Sequence, residues 1–581
     1  MEAGQRGCIL LLVVIIFLLP AAAQTRTTAT DFDDLLHRGF DFHQRQEYAQ
    51  ALPLLQKARR LRPQEYFVNL LLGIDLLRTG RPAEAVGFLK EAARRRPGEE
   101  FPYEYLGEAQ ATQYNYAAAA DAYAGALRVA PQSSQAAVAM VDFSLARFAA
   151  LSRQLRSSEH GLAAEYRIEA LSHSAGDSSR RQLLQRAAAL DGDAPGIWSD
   201  LSLADIAAGD HTTAGQDLRE ALRRNPNDLH AWEAEAMLAA QSGEWKAAAR
   251  RLNAIAERSP AMLAQAAAGW PASLQPAESA SFSGPAAIFF ACVRRRNCPP
   301  EALEPKLSPP LRCAGAAPEL LFQQQRWECL AESRTAHPLQ RATAFARTGR
   351  CREAIPLLER GIGSNPIVEP LFLLSICYAR QAGDTAARLP PSPSNEAALH
   401  LMRGDILLRL RADGAGAARE YESALAAGDR DAGLRARLAE AQLASGQTDA
   451  ARQSAQAALR LEPHSPAAMR TLARLAMQDR AYTTALPYLR QLAAREPRDL
   501  GTRVELGTAC AQTGALAEAL SNLSSALDQG YPDEKGSLHY LLGTVLRRMG
   551  REAEAEQKFA VARRLSDAFQ HTSRQEQNEH P

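Results

Sequence analysis

Small residues recur along this chain on a fixed step. Gly39, Gly73 and Gly107 stand 34 residues apart, and each is followed by Ala twelve residues on (Ala51, Ala85, Ala119), Ala nineteen on (Ala58, Ala92, Ala126) and Pro twenty-four on (Pro63, Pro97, Pro131). Apolar side chains keep the same frame: Leu36 and Phe40, then Phe67, Leu70 and Ile74, then Phe101. The pattern predicts pairs of antiparallel helices of about twelve residues each. Two such helices approach closely only where the contact is small on both sides, which puts Gly on the first helix against Ala on the second. The later Ala admits the next hairpin, and Pro stops the second helix.

The frame returns down the chain at Trp198, Ser202, Ala214, Ala221 and Pro226, and again at Trp232, Ala236, Ala248 and Pro260. Ala342, Ala354 and Pro366 keep it near the middle, and Gly404 opens a lengthened copy. Four more follow, at Ala439, Ala451, Ala458 and Pro463, at Ala473, Ala485 and Pro497, at Gly507, Ala519 and Ala526, and at Gly543, Ala555, Phe559 and Ala562. Eleven copies are readable. The repeat resembles the tetratricopeptide repeat family, with four positions agreeing in register.

That resemblance implies an all-α, right-handed superhelical solenoid whose first helices line a concave face that binds protein or peptide partners. Carried onto this chain, the face bears Leu36, Phe40, Phe67, Leu70, Ile74 and Phe101 at the N-terminal end, and Arg470, Arg474, Tyr540 and Arg547 at the C-terminal end. An apolar peptide or helix is expected in the first groove, and an acidic or sugar-like partner in the second. The family's basic clamp for peptide carboxylates is missing, because Leu36, Phe40 and Leu71 stand in place of its polar residues. The competing expectation is that the N-terminal apolar set is core, as helical apolar stripes usually are.

Interruptions in the frame mark the organisation. Arg6, the apolar run Cys8 to Leu19 and Pro20-Ala21-Ala22-Ala23 form a secretory signal over 1–23, with an uncleaved membrane anchor as the alternative. The rest divides into an N-terminal array (32–132), degenerate hairpins with two regular copies (133–264), a Pro- and Cys-rich insert (265–340), an irregular copy and linker (341–395), a C-terminal array (396–569) and a polar tail expected to be disordered (570–581). In 341–395 one helix-like run, Leu371 to Arg380, precedes the breaker Leu389-Pro390-Pro391-Ser392-Pro393-Ser394.

Composition agrees with an all-helical repeat protein. Over 581 residues, 46% are hydrophobic but only 6% aromatic, and Ala, Leu, Arg, Glu and Gln dominate. Arg in place of Lys, with so much Ala, points to a high-GC bacterial source. Charges nearly cancel, 67 Lys plus Arg against 66 Asp plus Glu, so no net field draws the chain to nucleic acid or anionic lipid. An exported, periplasmic or secreted scaffold is expected, non-catalytic, with a part in a polysaccharide or protein secretion apparatus as the alternative. Membrane association is expected only if the N-terminal segment stays on.

The insert gathers Cys292, Cys298, Cys313 and Cys329 in a loop-rich stretch, where an oxidising compartment favours disulfides. Cys292 with Cys298 and Cys313 with Cys329 is the preferred pairing. Cys351, Cys377 and Cys510 lie on repeat helices and read as small core residues. No Walker loop, His-Glu-x-x-His, Gly-x-Ser-x-Gly or Cys-x-x-Cys is present, so no cofactor, metal or catalytic site is expected. A catalytic unit in the insert would have to draw on Arg294, Arg295, Arg296, Glu301, Glu304, Glu328 and His337, which read better as surface charge.

Overall fold

The computed structural model describes residues 26–156, 161–173, 176–271, 273–276, 282–295, 313, 316–362, 367–428, 431–497, 499–533 and 535–578. The expected signal peptide and Cys298 lie outside these residues, and all secondary structure within them is helical.

Three hairpins open the chain: α1 (Arg26–Gln44) with α2 (Tyr48–Leu61), α3 (Tyr66–Arg78) with α4 (Pro82–Arg95), and α5 (Phe101–Thr112) with α6 (Tyr116–Val129). The glycines explain the closeness of each pair. A Cβ on Gly39 would come within 2.8 Å of Leu55, on Gly73 within 2.5 Å of Leu89 and on Gly107 within 2.8 Å of Tyr123. The glycine therefore receives a large side chain sixteen residues on, not the Ala expected at twelve, although Ala51, Ala85 and Ala119 are fully buried. Gly507 with Leu523 and Gly543 with Phe559 repeat the arrangement. Helix α1 packs on α3 and α3 on α5, so the first helices line the inside of the array.

The regular scheme stops at α7 (Ser134–Arg156). Where degenerate hairpins were expected, α7 is one continuous helix, and only α8 (Gly161–Ala170) and α9 (Ser178–Leu190) pair as a hairpin. Two regular hairpins follow, α10 (Ile197–Ala208) with α11 (His211–Arg224) and α12 (Leu229–Gln241) with α13 (Trp245–Arg258). Asp177, Asp210 and Asp228 cap α9, α11 and α12 by accepting backbone N–H bonds.

The Pro-rich insert supplies α14 (Pro260–Gly269), α15 (Pro285–Arg295), α16 (Pro318–Gln323) and α17 (Trp327–Glu332). It is better cored than its composition predicts. Trp270 meets Phe289 edge-on at 5.0 Å, Trp245 meets Phe290 at 5.8 Å, and these rings join the core of the flanking hairpins. Cys313 and Cys329 are joined by a disulfide with their Cα atoms 5.2 Å apart, and Cys292 is disulfide-bonded.

After the hairpin of α18 (Pro338–Arg347) and α19 (Cys351–Gly361) comes α20 (Val368–Arg388), which continues well past Arg380 because nothing before Leu389-Pro390 breaks it. Leu371 to Ser375, Cys377 and Tyr378 are all buried. A helix apolar on most sides must be interior, and α20 finds its place antiparallel along α7. Phe143 lies 5.7 Å from the Tyr378 ring, and the Ser144 hydroxyl donates to Gln381 at 3.0 Å. Alongside, α19 packs on α6, and Arg147 donates twice to Glu359, at 2.7 and 2.8 Å, while the Tyr378 hydroxyl donates to the same carboxylate at 2.9 Å. Each of these two long helices thus supplies the partner the other lacks. Cys351 and Cys377, expected as small core residues, form a disulfide tying α19 to α20, since the packing of α20 on α19 brings their Cα atoms to 5.0 Å.

The chain divides between Asn395 and Glu396, and a second compact unit begins there. It consists of five hairpins: α21 (Glu396–Leu410) with α22 (Gly414–Ala426), α23 (Ala432–Ala444) with α24 (Thr448–Leu461), α25 (Pro466–Gln478) with α26 (Tyr482–Arg495), α27 (Leu500–Thr513) with α28 (Leu516–Asp528), and α29 (Ser537–Arg548) with α30 (Glu552–Asn578). Of the tail expected to be disordered, residues 570–578 are the end of α30, a stretch without Gly or Pro to stop the helix, and 579–581 lie outside the described residues. Among the described residues no helix is long and apolar enough to cross a membrane.

Candidate functional site

The inner face of the N-terminal array is built from α1, α3 and α5. Leu36 and Phe40 on α1, Phe67 on α3 and Phe101 on α5 are half-buried and rest on one common core. Leu70 and Ile74 are only 8% and 6% exposed, so these two belong to that core. The expectation of a six-residue apolar groove thus narrows to four accessible side chains, three of them aromatic.

Polar groups sit among them. His43 Nδ1 lies 2.5 Å from Asp75 Oδ1, joining α1 to α3, and the Phe40 ring stacks on His43 at 6.3 Å. Burial raises the Asp75 pKa above the usual carboxylate range, against the opposing pull of His43. Arg78 donates to Glu108 at 2.5 and 3.3 Å, joining α3 to α5. Farther along α5, Glu104 is buried, accepting one bond from the Gln135 amide of α7 at 2.9 Å, and burial with help from Glu100 pushes its pKa up to about 7. Sequence reasoning passed over this acid. The signal was available, because Glu104 occupies the frame position that Leu36 and Leu70 hold in the two preceding hairpins.

The four C-terminal candidates sit in two settings. Arg470 pairs with Glu496 at 2.6 Å and Asp499 at 3.4 Å, and Arg474 with Glu505 at 3.9 Å. Acids supplied from α26 to α27 thus answer both cations of α25, which leaves little basic character for an acidic partner. Tyr540 and Arg547 come together elsewhere, in a recess of about 570 Å³ with Phe559 and Arg563. Tyr540 is 60% exposed, and the Arg547 guanidinium lies 5.2 Å from the Phe559 ring centre.

Two of the groups considered for catalysis serve the fold. Glu328 accepts bonds from the Ser259 hydroxyl at 2.8 Å and the Ala261 N–H at 3.0 Å, and His337 caps α18. Arg296, Glu301 and Glu304 lie outside the described residues. Among the described residues, no group of three or more His, Cys, Asp or Glu side chains could hold a metal ion.

A tetratricopeptide repeat family profile matches residues 41–100, 199–262, 436–499 and 470–535. No curated protein matches the sequence. Among solved structures, a MamA point mutant is 21% identical, with 30% of this chain and 99% of that one covered and a TM-score of 0.28. MamA 41-end from Desulfovibrio magneticus RS-1 is likewise 21% identical, over 30% and 98% of the two chains, with a TM-score of 0.28. YrrB, described as a TPR protein with an unusual peptide-binding site, is 19% identical over 29% and 87%, with a TM-score of 0.27.

Proposed function

Because this chain belongs to the tetratricopeptide repeat family and is built as an all-α solenoid of its hairpins, we propose that it is a non-catalytic scaffold acting outside the cytoplasm, with its binding groove in the N-terminal array. The observation that carries the reading is the row of half-buried Leu36, Phe40, Phe67 and Phe101 on neighbouring first helices. Solenoids of this kind bind partners along such faces, and accessible aromatic side chains take an apolar peptide or helix.

Export draws support from the cysteines. Cys313–Cys329 and Cys351–Cys377 are disulfides and Cys292 is disulfide-bonded, a pattern suited to an oxidising compartment. The mature chain is expected to begin at Gln24 and to fractionate with soluble exported proteins. N-terminal sequencing checks this, and a retained Met1 rejects cleavage.

Replacing Phe40, Phe67 and Phe101 together with Ser tests the groove. We expect circular dichroism to show the helical content kept and affinity capture to show the principal partner lost. A folded triple variant that still captures every wild-type partner would sink the groove assignment.

A further inference from the structure

Glu104 carries more than its place in the fold requires. It is 6% exposed, and only one of its carboxyl oxygens is bonded, to Gln135 Nε2 at 2.9 Å; the other has no partner among the described residues. The acid acting on it is Glu100 of α5, and the Tyr123 hydroxyl of α6 lies close to Glu104 as well as to Glu108 and Asp142. Arg78, the nearby cation of α3, is committed to Glu108. A half-empty buried carboxyl with Glu100 beside it and no cation bonded to it is a place where a positive charge is missing. Phe101 stands one turn before Glu104 on the same helix, and Phe67 holds the matching place on α3.

We propose that the apolar segment taken by the N-terminal groove carries one cationic side chain, Lys or Arg, which meets Glu104 while neighbouring apolar side chains lie against Phe67 and Phe101. The inference rests on the reading of this face as a binding groove. Glu104 is as buried as Leu70, so the Gln135 amide must move aside first; an ammonium or guanidinium then replaces it as donor and reaches both oxygens, and charge-assisted bonds of this kind are about twice as strong as neutral ones. The pairing also removes the reason for Glu104 to hold a proton, which burial otherwise imposes up to about pH 7. Binding must then release that proton. Affinity for the cationic segment rises with pH up to about 7, with roughly a tenfold gain between pH 6 and pH 8.

The test is a selection of displayed random 12-residue peptides against the full chain at pH 8, followed by calorimetry of the best peptide and of its twin with Met at the basic position. We expect enriched sequences to combine Leu, Ile or Phe with a Lys or Arg. The Met twin should bind the wild type about tenfold more weakly at pH 8, and the cationic peptide about tenfold more weakly at pH 6. Glu104→Gln, which removes the charge and keeps the shape, should bind both peptides alike at both pH values. A cation-free consensus, or a Glu104→Gln protein that keeps the preference for the cationic peptide, overturns the proposal and leaves the groove standing. If folded Phe67→Ser/Phe101→Ser enriches the same peptides as the wild type, the groove itself is lost, and the proposal with it.

Discussion

Glu104 and Gly73 show how much a single position decides. Glu104 titrates near pH 7 in the folded chain against an ordinary value near 4.5. For an acid whose folded pKa is raised, stability is full below the unfolded value and is lost as pH climbs to the folded one. Glu104→Gln should therefore leave the melting temperature unchanged near pH 4 and raise it at pH 8. Equal shifts at both pH values would show that Glu104 is ionised in the fold. Gly73 is constrained by space instead, because a Cβ would stand 2.5 Å from the Leu89 side chain, whereas one on Gly87, also helical, would meet nothing within 4 Å. Gly73→Ala should cost about 1–3 kcal/mol by overpacking, and Gly87→Ala should gain about 0.5–1 kcal/mol through helix propensity. Urea melts of the two variants decide it. The spacing of Gly39, Gly73 and Gly107 made the frame legible, but not which side chain fills each gap. Leu55 and Leu89 repeat at the step, but Tyr123 and, farther on, Phe559 fill the same place, so the partner is not marked by one letter throughout.

Individual helices were legible wherever Gly, Ala and Pro kept step, and became obscure where a helix found its partner far away in sequence. In isolation, α7 and α20 read as irregular material, since neither has a recognisable second helix beside it. What joins them is burial, and beside their contact a buried ion pair ties α7 to α19. Arg147 and Glu359 are 9% and 6% exposed, and removing one member of a buried pair strands the other charge at about 3–5 kcal/mol. Arg147→Met should therefore destabilise strongly, and Glu359→Leu added to it should recover much of the loss. A double-mutant cycle with no coupling between the two positions would mean that the pair adds nothing. The Cys351–Cys377 disulfide was missed for a related reason. Both residues sit on helices with ordinary core patterning, and only the packing of α20 on α19 brings them together.

For the molecule as a whole, the units on either side of Asn395 have separate cores, and the observed disulfide-bonded cysteines all belong to the first. Cys510 of the second unit is a buried free thiol. Calorimetry should accordingly resolve two transitions, and dithiothreitol should lower only one of them, by an amount consistent with a typical 2–4 kcal/mol for each disulfide. A single transition, or two that move together, would mean the units unfold cooperatively. The union of α7 with α20 has a further consequence, for the order of events at the ribosome. Ser144 and Gln381 are 237 residues apart, and synthesis proceeds at about 5–20 residues per second. Helix α7 therefore emerges roughly 10–50 s before its partner exists, with the side of Phe143 that meets Tyr378 uncovered in the interval. Whatever chaperone meets the nascent chain has most reason to meet it there.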